Sequence, residues 1–388
     1  MKILVDKVRG LSTINFYIIF LLIVFLPVIF YGHFIQDDYS ITRLNEYNFL
    51  TAIESICSVN SNRPLSCLYH AALSRFPSIF KIYFLIDLII YFISIILIIK
   101  AFDFIINSKS KKKLFFSLAI IPFFSYTILY SPGMQSMGTV AFLFWAISIF
   151  LLKNYLTTKK TKFLFFSYLS VLVLFLIYES SFPLLSLTIF FPLLYEKKFK
   201  YKFFLLNLII NISILIFVLI LQKKVFTSFS IHELSRVKLG FTDVKTILYL
   251  TFVNFLLIVN IFFHSLELFI YNLASLVKNF NTFLLFQIFL TFIFILSNFP
   301  KKNDFKNDKS LKKLSPYYNY YILISAFGVL MMTSLMHALA NTGLEFLMYN
   351  NRALVSVSLI FSFLIFNFII YVPTNKTFNK YKFIASPI

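Results

Sequence analysis

Charge is what this sequence has least of. Only 13% of its 388 residues are Asp, Glu, Lys or Arg, where a soluble domain carries about 25%. Acid is scarcer than base: 15 Asp and Glu stand against 36 Lys and Arg, for a net charge of +21. Cysteine is nearly absent. The two present, Cys57 and Cys67, form no Cys/His pattern, so no zinc-type site is expected. If their segment faces an oxidising compartment they can pair; the plainer expectation is two small free thiols. No Gly/Pro-rich linker divides the chain, no internal repeat is evident, and no soluble domain is expected at either end. The first apolar run, 13–32, has no small-residue cleavage site after it, so it reads as a retained span rather than a signal peptide.

What is there is apolar sequence, 60% of the chain. Runs long enough to cross a bilayer as helices fall at 13–32, 80–102, 114–130, 134–152, 163–179, 181–195, 203–221, 283–299, 318–336 and 353–372. The expectation is an all-α polytopic membrane protein, one integral membrane domain over 1–388, with about 10–11 transmembrane helices.

The positive charge invites a nucleic-acid reading, and its placement argues against one. Of the 36 Lys and Arg, 25 lie in six clusters at 2–9, 100–113, 153–162, 197–202, 301–313 and 376–382, all at the ends of apolar runs. This is the positive-inside pattern, which sets orientation. With the N-terminus inside, the loops 33–79, 222–282 and 337–352 fall outside. The segment 246–280 is ambiguous. A single crossing there would carry the 301–313 cluster outside, so 246–263 is expected to be re-entrant or interfacial, followed by an amphipathic stretch.

Four of the 15 acidic residues fall in one outside loop: Asp37, Asp38, Glu46 and Glu54. An acid pair just beyond a span is costly unless hydrated, paired or used. One of Asp37 and Asp38 can face a substrate hydroxyl as general base while the other holds the loop; helix capping is the structural alternative. Arg63, in "SNRPLSCLYHAALSRF", precedes a proline and is expected to be extended. Its guanidinium suits a phosphate or a carboxylate, or it snorkels to headgroups. His70 follows on an apolar helix, where packing is the simpler account. Tyr178 and Glu179, in "LIYESSFPLL", sit in a tight outside turn, where Glu179 reads as a second cavity acid or as a first-turn acid. His337 and Arg352 lie in the last outside segment, with Arg352 placed to meet a phosphate leaving group or headgroups. His232, Glu233, Arg236 and Lys238 read as a solvated surface, and Asp87, inside a span, must face protein or water.

"QDDYS" at 36–40, "NRPL" at 62–65 and "IYESSFPLL" at 177–185 together resemble bacterial GT-C glycosyltransferases, nearest to the serotype-converting glucosyltransferases of O-antigen. The resemblance implies a GT-C-like fold with outer-face loop helices, a polyprenyl-phosphate sugar donor, a surface-glycan acceptor, and an inner-membrane enzyme whose site faces the periplasm. It implies Asp38 or Asp37 as base, Glu179 as a second acidic residue in the cavity, and Arg63 as a site or phosphate residue; Arg352, His70, Tyr178 and His337 stand beside them as candidate substrate or phosphate contacts, and Glu179 as a catalytic candidate. No metal is demanded, although the acid pair can hold Mg or Mn with a further acid. The chain is shorter than many such enzymes, so acceptor recognition falls to its loops. An O-antigen polymerase and a lipid-linked glycan flippase are the competing expectations. Scarce outside arginine argues against the first, and acids at the edge rather than mid-membrane argue against the second.

Overall fold

In the computed structural model, residues 2–31, 43–59, 63–77, 79–120, 136–195, 201–221, 245–260, 282–299, 318–339 and 354–371 are described. Every regular element among them is helical. The helices are α1 (Lys2–Gly10), α2 (Thr13–Tyr31), α3 (Phe49–Val59), α4 (Pro64–Leu73), α5 (Phe80–Ala101), α6 (Lys109–Ile120), α7 (Ser136–Thr158), α8 (Thr161–Ile177), α9 (Leu185–Tyr195) and α10 (Tyr201–Leu221). They continue with α11 (Lys245–Asn260), α12 (Thr282–Ser297), α13 (Tyr318–Leu339) and α14 (Leu354–Tyr371). Short 3₁₀ turns cover Leu44–Glu46 and Glu179–Leu184.

Three of these helices are long and apolar enough to cross a membrane, Phe80–Ala101, Met137–Thr158 and Tyr201–Leu221. The pair Ile3–Gly10 and Thr13–Phe25, bent by 119°, makes a fourth if it is one broken span. The ten or eleven expected crossings exceed what length and composition establish among the described residues. Apart from α11, the shorter apolar helices lie on expected spans, but α9 has only 11 residues, about 16 Å of helix. Pro183 is expected to start that span; instead it sits inside the 3₁₀ turn that precedes α9.

Aromatic rings fill much of the interior. Tyr17 stacks on Phe116 at 4.0 Å between ring centres, and Phe102 and Phe115 both meet Phe363. Buried polar side chains are tied across helices, as a membrane interior requires. The Trp145 indole donates to Thr188 Oγ1 (3.1 Å). Asn207 donates to Thr188 O (2.9 Å) and accepts from Tyr168 OH (3.1 Å).

The basic residues gather at one end. Arg9 donates to Ser297 O (2.7 Å), and Lys113 to Arg9 O (2.9 Å) and Leu11 O (2.7 Å). Lys153 pairs with Asp103 at 2.8 Å. Thr157 and Tyr195 hydroxyls meet at 3.0 Å, and Tyr318 OH donates to Asn367 Oδ1 (3.2 Å). α5 reaches this end at Ala101 and α8 leaves it at Thr161. The start of α5 and the end of α8 therefore lie at the opposite end, and α3 and α4 are built over them.

Candidate functional site

The segment 43–77 forms a small packed unit with its own apolar cluster of Leu44, Ala52, Ile56, Cys67, Ala71 and Leu73, closed by Tyr83 from α5. Cys57 and Cys67 form a disulfide that ties α3 to α4. This corrects the expectation of free thiols. The loop brings the two Cα atoms to 5.4 Å, within the range a disulfide bridges, a proximity that sequence spacing does not reveal. Arg75 donates to Leu44 O (2.9 Å) and Tyr47 O (2.8 Å), pinning the first 3₁₀ turn to the end of α4.

Arg63 stands at the head of this unit. Its backbone (φ −125°, ψ 67°) lies outside the helical region, as the following proline demands, and Pro64 opens α4. Among the described residues no side chain caps that helix start. The guanidinium carbon lies 4.9 Å from the ring centre of Tyr178, a cation–π contact. Tyr178 is extended and buried, and its N–H donates to Leu174 O (3.0 Å) to end α8. Glu179 is the next residue and takes the first position of the 3₁₀ turn, where a carboxylate also complements the local dipole. The "NRPL" and "IYESSFPLL" segments, expected to share a site, therefore meet through Arg63 and Tyr178.

His70 is fully buried. Neither ring nitrogen has a hydrogen-bond partner among the described residues. Burial, and secondarily the positive charge of Arg63, pushes its pKa down to about 4, so the imidazole is neutral at physiological pH. Ser66, one turn earlier, is also fully buried with an unpartnered hydroxyl. It was not a candidate from sequence, because a serine in a first helical turn reads as ordinary.

Asp37, Asp38 and Arg352 lie outside the described residues, as do the side chains of Glu179 and His337. The backbone of His337 belongs to α13, which packs along both α9 and the 3₁₀ turn that opens at Glu179. Asp87 is fully buried on α5, the protein-facing alternative of its sequence reading. Among the described residues no group of three His, Cys, Asp or Glu can hold a metal ion. A small apolar cavity lined by Phe102, Leu187, Ile322 and Phe363 lies elsewhere in the bundle and touches none of the candidate residues. No protein-family model matches the chain, and neither a curated protein nor a solved structure does.

Proposed function

We propose that this chain is a GT-C-type glycosyltransferase of a bacterial inner membrane, with about 10–11 spans and its site on the periplasmic face. It moves a sugar from a polyprenyl-phosphate donor to a surface glycan. The observation that carries the reading is the Arg63–Tyr178 contact. It joins two of the three sequence segments on which the resemblance rests, at the end of the bundle away from the basic clusters.

In this mechanism the lipid tail of the donor stays in the bilayer and its phosphate meets Arg63 or Arg352. Asp38 or Asp37 takes the proton from an acceptor hydroxyl, whose oxygen attacks the anomeric carbon. The bond to the phosphate oxygen breaks on the opposite side, so the anomeric configuration inverts, and lipid phosphate leaves with its charge stabilised by guanidinium. His337 and Glu179 complete the cavity wall. A divalent cation, Mg or Mn, is compatible with the acid pair and is not required for a monophosphate leaving group.

The test is the surface glycan of the host. Deletion of the protein is expected to remove one sugar component. Asp37→Asn, Asp38→Asn and Glu179→Gln are compared with wild type, and loss of the base is expected to slow transfer by about 10²–10⁴-fold. Wild-type glycan in all three variants, together with a changed glycan on deletion, overturns the site. An unchanged glycan on deletion overturns the transfer reading itself.

A further inference from the structure

The face of α4 that looks into the bundle carries buried polar atoms, at Ser66 and His70, with no hydrogen-bond partner among the described residues. Arg63, Ser66 and His70 follow one another at spacings of three and four, which places them on a single face of the helix. Leu68 and Ala72 occupy the opposite face and are exposed. Cys67 and Ala71 turn sideways into the cluster shared with α3. The Arg63–Ser66–His70 stripe therefore points inward, and its outer member lies on the ring of Tyr178 from α8.

Ser66 Oγ and both nitrogens of His70 are fully buried and unpartnered. A buried polar group without a hydrogen bond is expensive, and folded proteins leave few of them. Three such atoms within one helical turn, directly behind a guanidinium, are not a packing solution. The same place receives a helix start with no side-chain cap among the described residues, whose dipole favours negative charge. On this face of α4, Arg63 is cationic, and Ser66 and the neutral His70 imidazole can donate without carrying charge of their own.

We infer that Ser66 and His70 form the floor of a phosphate subsite whose rim is Arg63 and Tyr178. The inference rests on the proposed donor and deepens it, by naming the residues that hold the phosphate beneath the arginine. Arg63 supplies the charge. Ser66 and His70 each supply one donor, and the uncapped start of α4 adds its partial positive charge. The neutral imidazole lets the empty site stay buried without an uncompensated charge.

The test uses the full chain in lipid nanodiscs and reads the shift in melting temperature with ligand. The probes are a long-chain isoprenyl monophosphate, the matching isoprenyl alcohol, and inorganic phosphate. The monophosphate is expected to stabilise wild type and the alcohol is not. Ser66→Ala is expected to weaken monophosphate binding about tenfold, the usual loss for one hydrogen bond to a charged acceptor. The same change leaves the ligand-free melting temperature unchanged or raises it, because it deletes an orphaned hydroxyl. His70→Gln is expected to weaken binding similarly; if that variant does not fold, Ser66→Ala decides. Stabilisation of wild type but not Ser66→Ala by inorganic phosphate supports the subsite and assigns it to free phosphate. Equal stabilisation by alcohol and monophosphate, or wild-type affinity in Ser66→Ala, overturns it, and leaves those orphaned atoms to a structural water. Binding is read without transfer, so intact phosphate binding beside an unaltered host glycan removes the glycosyltransferase reading alone. An altered glycan with wild-type binding in Ser66→Ala removes the subsite alone.

Discussion

His70 shows how one buried side chain imposes a pH dependence on the fold. In the unfolded chain an imidazole takes up a proton near pH 6.5. In the folded protein burial and Arg63 delay that uptake to about pH 4. Between these values the unfolded state binds more protons, so stability falls as pH falls from about 6.5 to about 4, by roughly 3 kcal/mol over the window. His70→Gln removes this contribution. Thermal unfolding of wild type and variant from pH 7.5 to 4.5 is expected to show a shallower acid decline in the variant. Parallel curves would mean that His70 is not held as a buried neutral base. At this scale the sequence was legible in part. Pro64 keeps Arg63 out of the helical region, although at ψ 67° and not in the extended conformation expected, and the tight turn that holds Glu179 follows from its neighbours. That Arg63 rests on Tyr178, 115 residues away in the chain, is a product of helix packing, and no local pattern announces it.

Helix α13 approaches α9 more closely than ordinary side chains allow. Ser186 Oγ donates to Ser325 O (3.3 Å), and a methyl group placed on Gly328 would collide with the Ser186 side chain. Small residues at such a crossing let backbones approach, which is how helices associate when lipid offers no hydrophobic drive. Gly328→Ala is expected to rotate the Ser186 hydroxyl off its acceptor at a cost of about 1 kcal/mol, and Ser186→Gly in the same chain restores the fit. Gly328→Leu overpacks the crossing by about 1–3 kcal/mol. Melting of the purified variants checks the order; Gly328→Leu as stable as wild type would show that the two helices are not in tight contact. The elements themselves were largely readable. The expected 80–102, 318–336 and 353–372 fall on Phe80–Ala101, Tyr318–Leu339 and Leu354–Tyr371. Hydropathy misplaced boundaries where helix and greasy run part company. The expected 134–152 stops at Lys153, yet α7 runs on to Thr158, because Lys153 finds Asp103 and polar residues continue a helix well. The reverse happens before α9, where an apolar run holds a 3₁₀ turn that hydropathy cannot distinguish from helix.

The whole bundle raises a question of parity. Tyr155 and Phe203 rings lie 5.3 Å apart, so α10 starts at the end where α7 finishes, the basic end. Arg9 bonded to Ser297 O brings the finish of α12 to that same end. If α10 and α12 each cross the membrane, the chain leaves the basic end along α10 and returns along α12, and an even number of crossings is expected between residues 221 and 282. A lone crossing by α11 would put Phe299 at the wrong end, whereas Arg9 also reaches Phe299 O (3.4 Å). The basic cluster at 301–313, which follows at once in the chain, carries the same expectation. Two signals support the proposed orientation: basic residues favour the cytoplasm, and the Cys57–Cys67 disulfide at the other end suits an oxidising compartment. Both native cysteines are paired, so single introduced cysteines report alone. In intact cells a membrane-impermeant maleimide is expected to label Leu68→Cys, and to label Lys160→Cys and Lys306→Cys only after the membrane is permeabilised. Labelling of Lys306→Cys without permeabilisation would require α11 to cross alone and would break the parity. Labelling of Lys160→Cys but not Leu68→Cys would invert the protein, and with it place the disulfide and Arg63 on the reducing side, against the proposed periplasmic site.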